Sequence, residues 1–390
     1  MKNRSDLNQS YAAFDQASTI ACVVELSSKS WLAAGTVPGV KRQPLKKMPA
    51  ANTGEGLLAL LGRWRAEANK AGHEIKRIVV AVEAGRDGFW LARWLRDRGV
   101  EVYVIHAASI PVPREHKRRK TDRLDTQMLM RALLGWLRGE VGHCRMVQIP
   151  TLEAEDARRP AREHDSLVRE RTSLINRLKS ALVYLGITDF NIKLVKAGQK
   201  LAGLRTPNGE PIPPNMLAEL YRDLERLAMV RKHVKAIEDA RVKRLKEKPN
   251  HGANPLVLML AKVFGLGLET ADLLVHEVLT RNLRDHRAVG RYAGLTGSPD
   301  ESGKTRREQG LAKAGNWRVR HSSLQLAWRW LKWQKGSALA QWYRERTAGG
   351  GAIIRKKMIV ALARKILIAL WRYVTTGELP AGVVLKPVAL

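Results

Sequence analysis

Four carboxylates stand out in a chain with only 37 acidic residues among 390. Asp15 falls in the apolar run YAAFDQASTIACVVEL (residues 11–26), Glu83 directly follows KRIVVAV (76–82), and Asp122 and Asp125 lie three apart in KTDRLDTQML. Placing a carboxylate in an apolar strand is costly unless it is hydrogen-bonded or holds a cation. The three-residue spacing puts Asp122 and Asp125 on one face of a helix. Near a helix start, that placement also suits the helix dipole, which alone would account for the pair. Together, two acids at strand ends and two on a following helix can converge on one edge of a sheet. Such oxygen ligands suit Mg²⁺, and two of these ions, about 3.5–4 Å apart, activate a nucleophile and stabilise a leaving oxygen in phosphoryl transfer.

A second candidate is Ser302 in the turn-like segment PDESG (299–303). Turn formation or capping is the simplest role for a serine there, because a serine hydroxyl is a weak nucleophile without a base, a metal or a strong local field. Lys304, Arg306, Arg307 and Lys313 supply positive charge that can hold a phosphodiester. Arg318, Arg355, Lys356 and Lys357 extend the basic set.

The elements that must position these residues change character along the chain. The first third predicts strands over 11–26 and 31–37 with a hairpin at 27–29, a helix over 56–69, a strand over 76–82, a helix over 87–97, a strand over 100–105 and a helix over 121–137. Strands followed by strand–helix alternation imply a mixed sheet flanked by helices. Over 152–248 the strand signals fade. Leu174, Leu178, Ala181 and Leu185, then Leu217, Leu220, Leu224, Leu227 and Val234, mark two long helices with coiled-coil-like seams, the second interrupted at Arg231. The Pro- and Gly-rich segment 203–215 reads as the turn of an antiparallel pair. From residue 255 the pattern is helical, with LAKVFGLGLETADLL (260–274) resembling a helix-hairpin-helix whose backbone N–H groups meet a phosphate.

Composition sets the partner. The chain carries 69 Lys and Arg and a formal charge of +32, which disfavours an ordinary metabolic enzyme and favours nucleic acid. Residues 231–248 hold eight basic residues against three acidic ones, and 301–372 hold seventeen against three with Trp317, Trp328, Trp330, Trp333, Trp342 and Trp371 among them. That mixture suits base stacking and phosphate neutralisation, with some of the Trp residues in the core. Two distant cysteines, Cys22 and Cys144, disfavour a disulfide framework or a zinc finger. With no signal-peptide core and no unbroken apolar span, the expectation is a soluble cytoplasmic protein without a membrane partner.

The ordered motifs Asp15, Glu83 in EAGRDGFW and KTDRLD, followed by LAKVFGLGLETADLLVHEV, DHRAVGRYAGLTGSPDESG and LAKAGNWRVR, resemble the DEDD-type transposases of the insertion-sequence one-ten (IS110) family over roughly residues 12–373. The N-terminal domain of that family is similar to the RuvC Holliday-junction resolvase. Its first motif is usually Gly-Ile-Asp, where Ala13-Phe14-Asp15 stands here. The resemblance implies Mg²⁺-dependent DNA recombination on element ends and target, in many members guided by a structured RNA, with assembly as a dimer or tetramer. It also implies that Ser302 is a nucleophile giving a transient phosphoserine link.

The fold expected is therefore α/β plus all-α: an RNase-H-like (RuvC-like) mixed-sheet domain over 8–150, antiparallel coiled-coil helices over 151–252, a helical transposase domain over 253–378 and a tail over 379–390. Asp15, Glu83, Asp122 and Asp125 are the expected metal ligands, with Ser302 as nucleophile, in a bacterial, nucleoid-associated recombinase. A hydrolytic nuclease would use the acids without the serine. A non-catalytic nucleic-acid-binding protein would leave the acids unexplained.

Overall fold

The computed structural model describes residues 10, 12–49, 53–85, 88–111, 121–140, 142–192, 194, 196–302, 305–312 and 314–387. Its chain packs as two units, one up to Leu152 and one from Glu153.

In the first unit, β1 (Thr19–Leu26), β2 (Ser30–Thr36) and β3 (Leu45–Pro49) form a meander. It is followed by α1 (Thr53–Lys70), β4 (Arg77–Glu83), α2 (Gly88–Arg96), β5 (Glu101–Ile105), α3 (Asp122–Leu137) and β6 (Met146–Val147). The sheet order is β3-β2-β1-β4-β5-β6. β1, β4 and β5 run parallel, while β2, β3 and β6 are each antiparallel to their neighbour. The parallel strands are apolar on both faces because helices cover both. Ile20, Cys22, Val24, Val80, Val82, Val102 and Val104 pack against α1 and α2. Ala21, Val23, Val79, Ala81, Tyr103 and Ile105 face Leu129, Met130, Leu133, Trp136 and Leu137 of α3. Thr121 caps α3, its side chain accepting from the Leu124 N–H at 3.3 Å. This mixed six-stranded sheet with flanking helices is consistent with an RNase-H-like domain.

Three sequence expectations change in this unit and the next. β1 begins at Thr19, where its pairing with β4 begins, and residues 16–18 form a turn ahead of it. β3 was not expected, since its LKKMP has one buried residue and reads as polar. The part from residue 255 onward is not all-α: it contains the antiparallel hairpin β7 (Gly297–Ser302) and β8 (Thr305–Leu311).

The second unit is otherwise helical. α4 (Leu152–Asp156) straddles the boundary, and α5 (Arg159–Tyr184), α6 (Ala197–Leu201), α7 (Pro214–Glu247), α8 (Asn254–Ala261), α9 (Leu268–Leu274) and α10 (His286–Tyr292) precede the hairpin. α11 (Trp317–Trp333), α12 (Ala338–Thr347) and α13 (Ala352–Thr376) follow it. α5 and α7 pack side by side through Leu174, Leu178 and Leu182 against Leu220, Leu227, Val230 and Val234. Val230 takes the inward position next to Arg231. Asp223, early in α7, accepts from Arg177, late in α5, while Glu238, late in α7, meets His164, early in α5, so the helices are antiparallel. A separate core surrounds Trp330, Leu260, Leu274, Leu362 and Leu370. Of the six tryptophans in the basic stretch, Trp330 is buried, whereas Trp317, Trp328 and Trp333 are exposed.

Buried His164 joins three helices, with Nε2 3.0 Å from Glu238 of α7 and Nδ1 2.7 Å from Glu269 of α9. The hydrogen bond to Glu269 raises its pKa above the ordinary value; burial opposes that shift and Glu238 reinforces it. A raised folded-state pKa gives stability that is fully present below the unfolded value of about 6.5 and is lost as pH rises through the folded value. Wild-type protein should therefore lose thermal stability more steeply than His164→Gln as the pH rises above about 6.5. Parallel melting curves for the two proteins between about pH 6 and 9 would remove this assignment.

Candidate active site

Apolar parallel strands can present a carboxylate only where they leave the sheet, and two of them do so at the same end. β4 finishes at Glu83. β1 reaches Glu25 one residue before its end. The register pairs Val23 with Ala81 and Val24 with Val82, so the next step sets Glu25 beside Glu83 on neighbouring strands about 4.8 Å apart. Strand alternation puts Glu25 with Ala21 and Val23, and Glu83 with Val79 and Ala81, on the face that α3 covers. Both are half-buried. Gly88 fixes the exit from β4, since a Cβ there would lie 2.5 Å from the Glu83 carbonyl oxygen.

Asp122 and Asp125 occupy the first turn of α3. They continue the stripe Leu129, Leu133, Trp136 that packs on this same face, spaced by threes and fours. Asp122 is exposed and Asp125 half-buried. The fold thus brings Glu83, Asp122 and Asp125 to one face of the sheet, and Glu25 joins them.

Asp15 does not join them. It precedes β1 by four residues, at the strand's opposite end, and the eight residues of β1 alone span about 25 Å. Its carboxylate closes the local turn, accepting from the Ala17 N–H at 3.0 Å and from the Ser18 hydroxyl. Those hydrogen bonds, that of Ser18 first, lower its pKa. At this end of the sheet Glu101 is also committed, to Arg77 at 2.7 Å and to the Tyr103 hydroxyl at 2.5 Å.

Glu25 is a candidate that the sequence reading did not single out, although a signal was present. Val23-Val24-Glu25 ends an apolar strand as Ala81-Val82-Glu83 does. The donor set of Glu25, Glu83, Asp122 and Asp125 is all carboxylate, which fits a hard divalent cation. No three of these acids bring ligand atoms within 4.8 Å of one another; among the described residues the one group that does is His164, Glu238 and Glu269. In that group both ring nitrogens face carboxylates, which is the arrangement of an ion-paired imidazolium.

Ser302 ends β7, is exposed, and pairs with Thr305 across the hairpin tip. Asp300 pairs with Arg307, so Arg307, also exposed, stands on the same hairpin face as Ser302, one step along. Arg306 is placed only through its backbone, opposite Glu301. Lys304 and Lys313 lie outside the described residues. Arg318 is in the first turn of α11, with its guanidinium 4.7 Å from the Trp317 ring centroid. Arg355, Lys356 and Lys357 are exposed near the start of α13.

The comparisons place this architecture. A DEDD-type IS110 family model described as "Transposase" matches residues 38–186. A model described as "Transposase IS116/IS110/IS902 family" matches residues 258–343. A protein of Sinorhizobium fredii (strain NBRC 101917 / NGR234) with the name "Putative transposase y4rJ" is 38% identical over 370 residues, 93% of each chain. An α/β domain with flanking helices and acids closing its central strands is accordingly that of an enzyme acting on DNA, of a class that typically uses a divalent metal. The chain belongs to the IS110 family of transposases. No helix among the described residues is long and apolar enough to cross a membrane.

The two candidates for the first acid make different predictions. Glu25→Gln and Glu83→Gln should each weaken Mn²⁺ or Mg²⁺ binding at least tenfold in calorimetric titration and remove the metal-dependent rise in melting temperature. Without metal their stability should hold or rise, because like charges are thinned. Asp15→Ala should leave metal binding unchanged and lower stability only slightly. Loss of metal binding in Asp15→Ala, with retention in Glu25→Gln, would return the role to Asp15.

Proposed function

We propose that this transposase cuts and rejoins DNA in a Mg²⁺-dependent reaction that passes through a transient phosphoserine link at Ser302. The observation that carries the metal half of this reading is the alignment of Glu25 and Glu83 on adjacent parallel strands, with Asp122 and Asp125 on the helix covering the same face. These four carboxylates would hold the metal. When bound, Mg²⁺ neutralises charge on the scissile phosphate and favours departure of the leaving oxygen. Glu25 and Glu83, fixed by the sheet, set the position of the site, and the first turn of α3 closes it.

Ser302 supplies the nucleophile. Its hydroxyl oxygen forms a bond to phosphorus as the phosphorus–oxygen bond to one DNA strand breaks. The hydroxyl proton is given up and the leaving strand oxygen takes up a proton. Rejoining reverses the step with the hydroxyl of a different strand, so no bond energy is lost to water. Arg307, on the same hairpin face, supplies positive charge for the added charge on phosphate. The family match over 258–343, which contains Ser302, and the exposure of that serine support this half.

Within this reading α5 and α7 form a coiled-coil arm over 151–252, and residues 253–378 form the transposase domain. A structured guide RNA and a dimeric or tetrameric assembly complete the reaction, and the +32 charge supports binding of both nucleic acids. The setting is the bacterial cytoplasm, at the nucleoid.

Ser302→Ala should abolish strand exchange while DNA binding and Mg²⁺ binding persist, since neither uses the hydroxyl. Stalling the wild-type reaction on a nicked substrate and digesting the protein should leave a peptide containing Ser302 on a DNA end. An adduct on another residue, or cleavage by the alanine variant, would hand the chemistry to water activated at the four carboxylates.

A further inference from the structure

The first unit holds a cleft of about 670 Å³ beside the candidate acids, lined by residues of β2, the β2–β3 connection, β3, α1 and α3. Its charged lining consists of Arg42, Lys46, Arg63 and Arg123 against the single carboxylate of Glu67. All five are exposed. None of the four cations has an ion-pair or side-chain hydrogen-bond partner among the described residues. They differ in this from Arg77, Arg162, Arg177, Arg241 and Arg244, each of which holds a carboxylate.

The fold holds these cations in place. Trp64 of α1 lies against β2 because Gly35 has no side chain: a Cβ there would be 2.5 Å from the indole ring. This seats α1 so that Arg63 and Glu67 line the cleft. The connection carrying Arg42 turns at Gly39, at φ +74°, where a Cβ would meet Ala71 at 2.5 Å. It is tied back by the Gly35 N–H donating to the Pro44 carbonyl at 2.9 Å. Lys46 is fixed by pairing with Ala33 of β2. Arg123 lies between Asp122 and Asp125 in the first turn of α3.

The geometry points to this cleft as the seat of a single DNA strand, its phosphates on Arg42, Lys46, Arg63 and Arg123, running to the carboxylates at the start of α3. The inference rests on the reading of those acids as the cleavage site. A small apolar ligand is disfavoured, because sites for such molecules are lined mainly by hydrophobic and aromatic groups. Cations drawn from four segments fit a row of phosphates better than one anion. Gln43 and Gln127 add hydrogen-bonding groups, and Leu45, 46% exposed, offers an apolar shelf for a sugar or base.

The test uses the full chain in EDTA, so that binding does not depend on metal. A fluorescent single-stranded DNA and the RNA of the same sequence are titrated over a salt series against wild type, Arg42→Gln/Lys46→Gln/Arg63→Gln, and Glu67→Gln. For DNA, the triple variant should lose at least tenfold in affinity at low salt. The slope of log K against log salt should shrink by about 2, from roughly 0.7 for each of three contacts on a single strand. Glu67→Gln should bind more tightly. A 4-thiothymidine DNA strand should crosslink to peptides containing residues 42–46 and 123–127, and Lys46→Glu alone, a single exposed change, should reduce those crosslinks. An unchanged slope with crosslinks elsewhere would overturn the proposal, and so would losses confined to RNA. Glu83→Gln separates this result from the proposed function, since it should bind DNA normally in EDTA yet fail to cleave with Mg²⁺. If only the cleft variants behave like wild type, the cleft assignment falls alone; if only Glu83→Gln cleaves, the function falls alone.

Discussion

The register of β1 against β4 is the constraint on which the rest of the first unit depends. Both strands are buried on both faces, so neither can carry a charged side chain along its length without a large desolvation cost. A carboxylate is tolerated only where the strand leaves its neighbours. Because the two strands are parallel and in line, their last inward-facing positions are adjacent, and both hold glutamate. A slip of one residue would move the alternation of a whole strand to the other face, exchanging Ile20, Cys22 and Val24 for Ala21 and Val23 and sending Glu25 away from α3. Packing of the apolar residues therefore sets the position of the acids more strictly than any contact of the acids themselves.

The second unit handles its carboxylates in the opposite way, by saturating them with cations. Burial alone would raise the pKa of Asp272, but His276, Arg244 and Arg241 lower it further than burial raises it. Glu277 is likewise held below its ordinary value, with Arg162 and Asn316 outweighing its desolvation. Asp223 is bound by Arg177 and Arg226. Buried charges of this kind persist when each has partners in good geometry, and removing a single partner leaves an uncompensated charge. In a chain with 69 basic residues, such pairing is easily met. Among the described residues no basic side chain pairs with Asp122 or Asp125 at the start of α3, which leaves them able to accept a cation from solution.

The sequence made most of the sheet legible because buried parallel strands write themselves as β-branched runs; β4, β5 and α3 lie within a residue or two of expectation. Asp15 was read into the first strand for the same reason that β1 was found. Apolar residues before Thr19 extend the run, yet among the described residues they pair with no strand, and the aspartate among them closes a turn. Glu25 was hidden within the same run. The polar edge strand β3, with one buried side chain, and the hairpin β7–β8 left little trace, since backbone pairing makes them strands. The helix pair α5–α7 could be read from its leucine spacing, but the choice of Val230 over its neighbour Arg231 as the inward residue depends on the partner helix.

Ser302 poses a different physical problem from the acids. A two-stranded hairpin is marginally stable in water by itself, and among the described residues β7 and β8 form a two-stranded sheet of their own. Its serine sits at the exposed tip. Catalytic groups must be held to within about 0.5 Å by packing, and the sheet pairing of β1 and β4 supplies that kind of order to the backbone at Glu25 and Glu83. In the proposed reaction the hairpin gains that order from the nucleic acid it grips through Arg307 and its neighbours. A nucleophile ordered by its substrate and a metal site ordered by its fold would become competent together only on a fully assembled DNA complex. An enzyme whose +32 charge draws it to any DNA would thereby be kept from cutting at random.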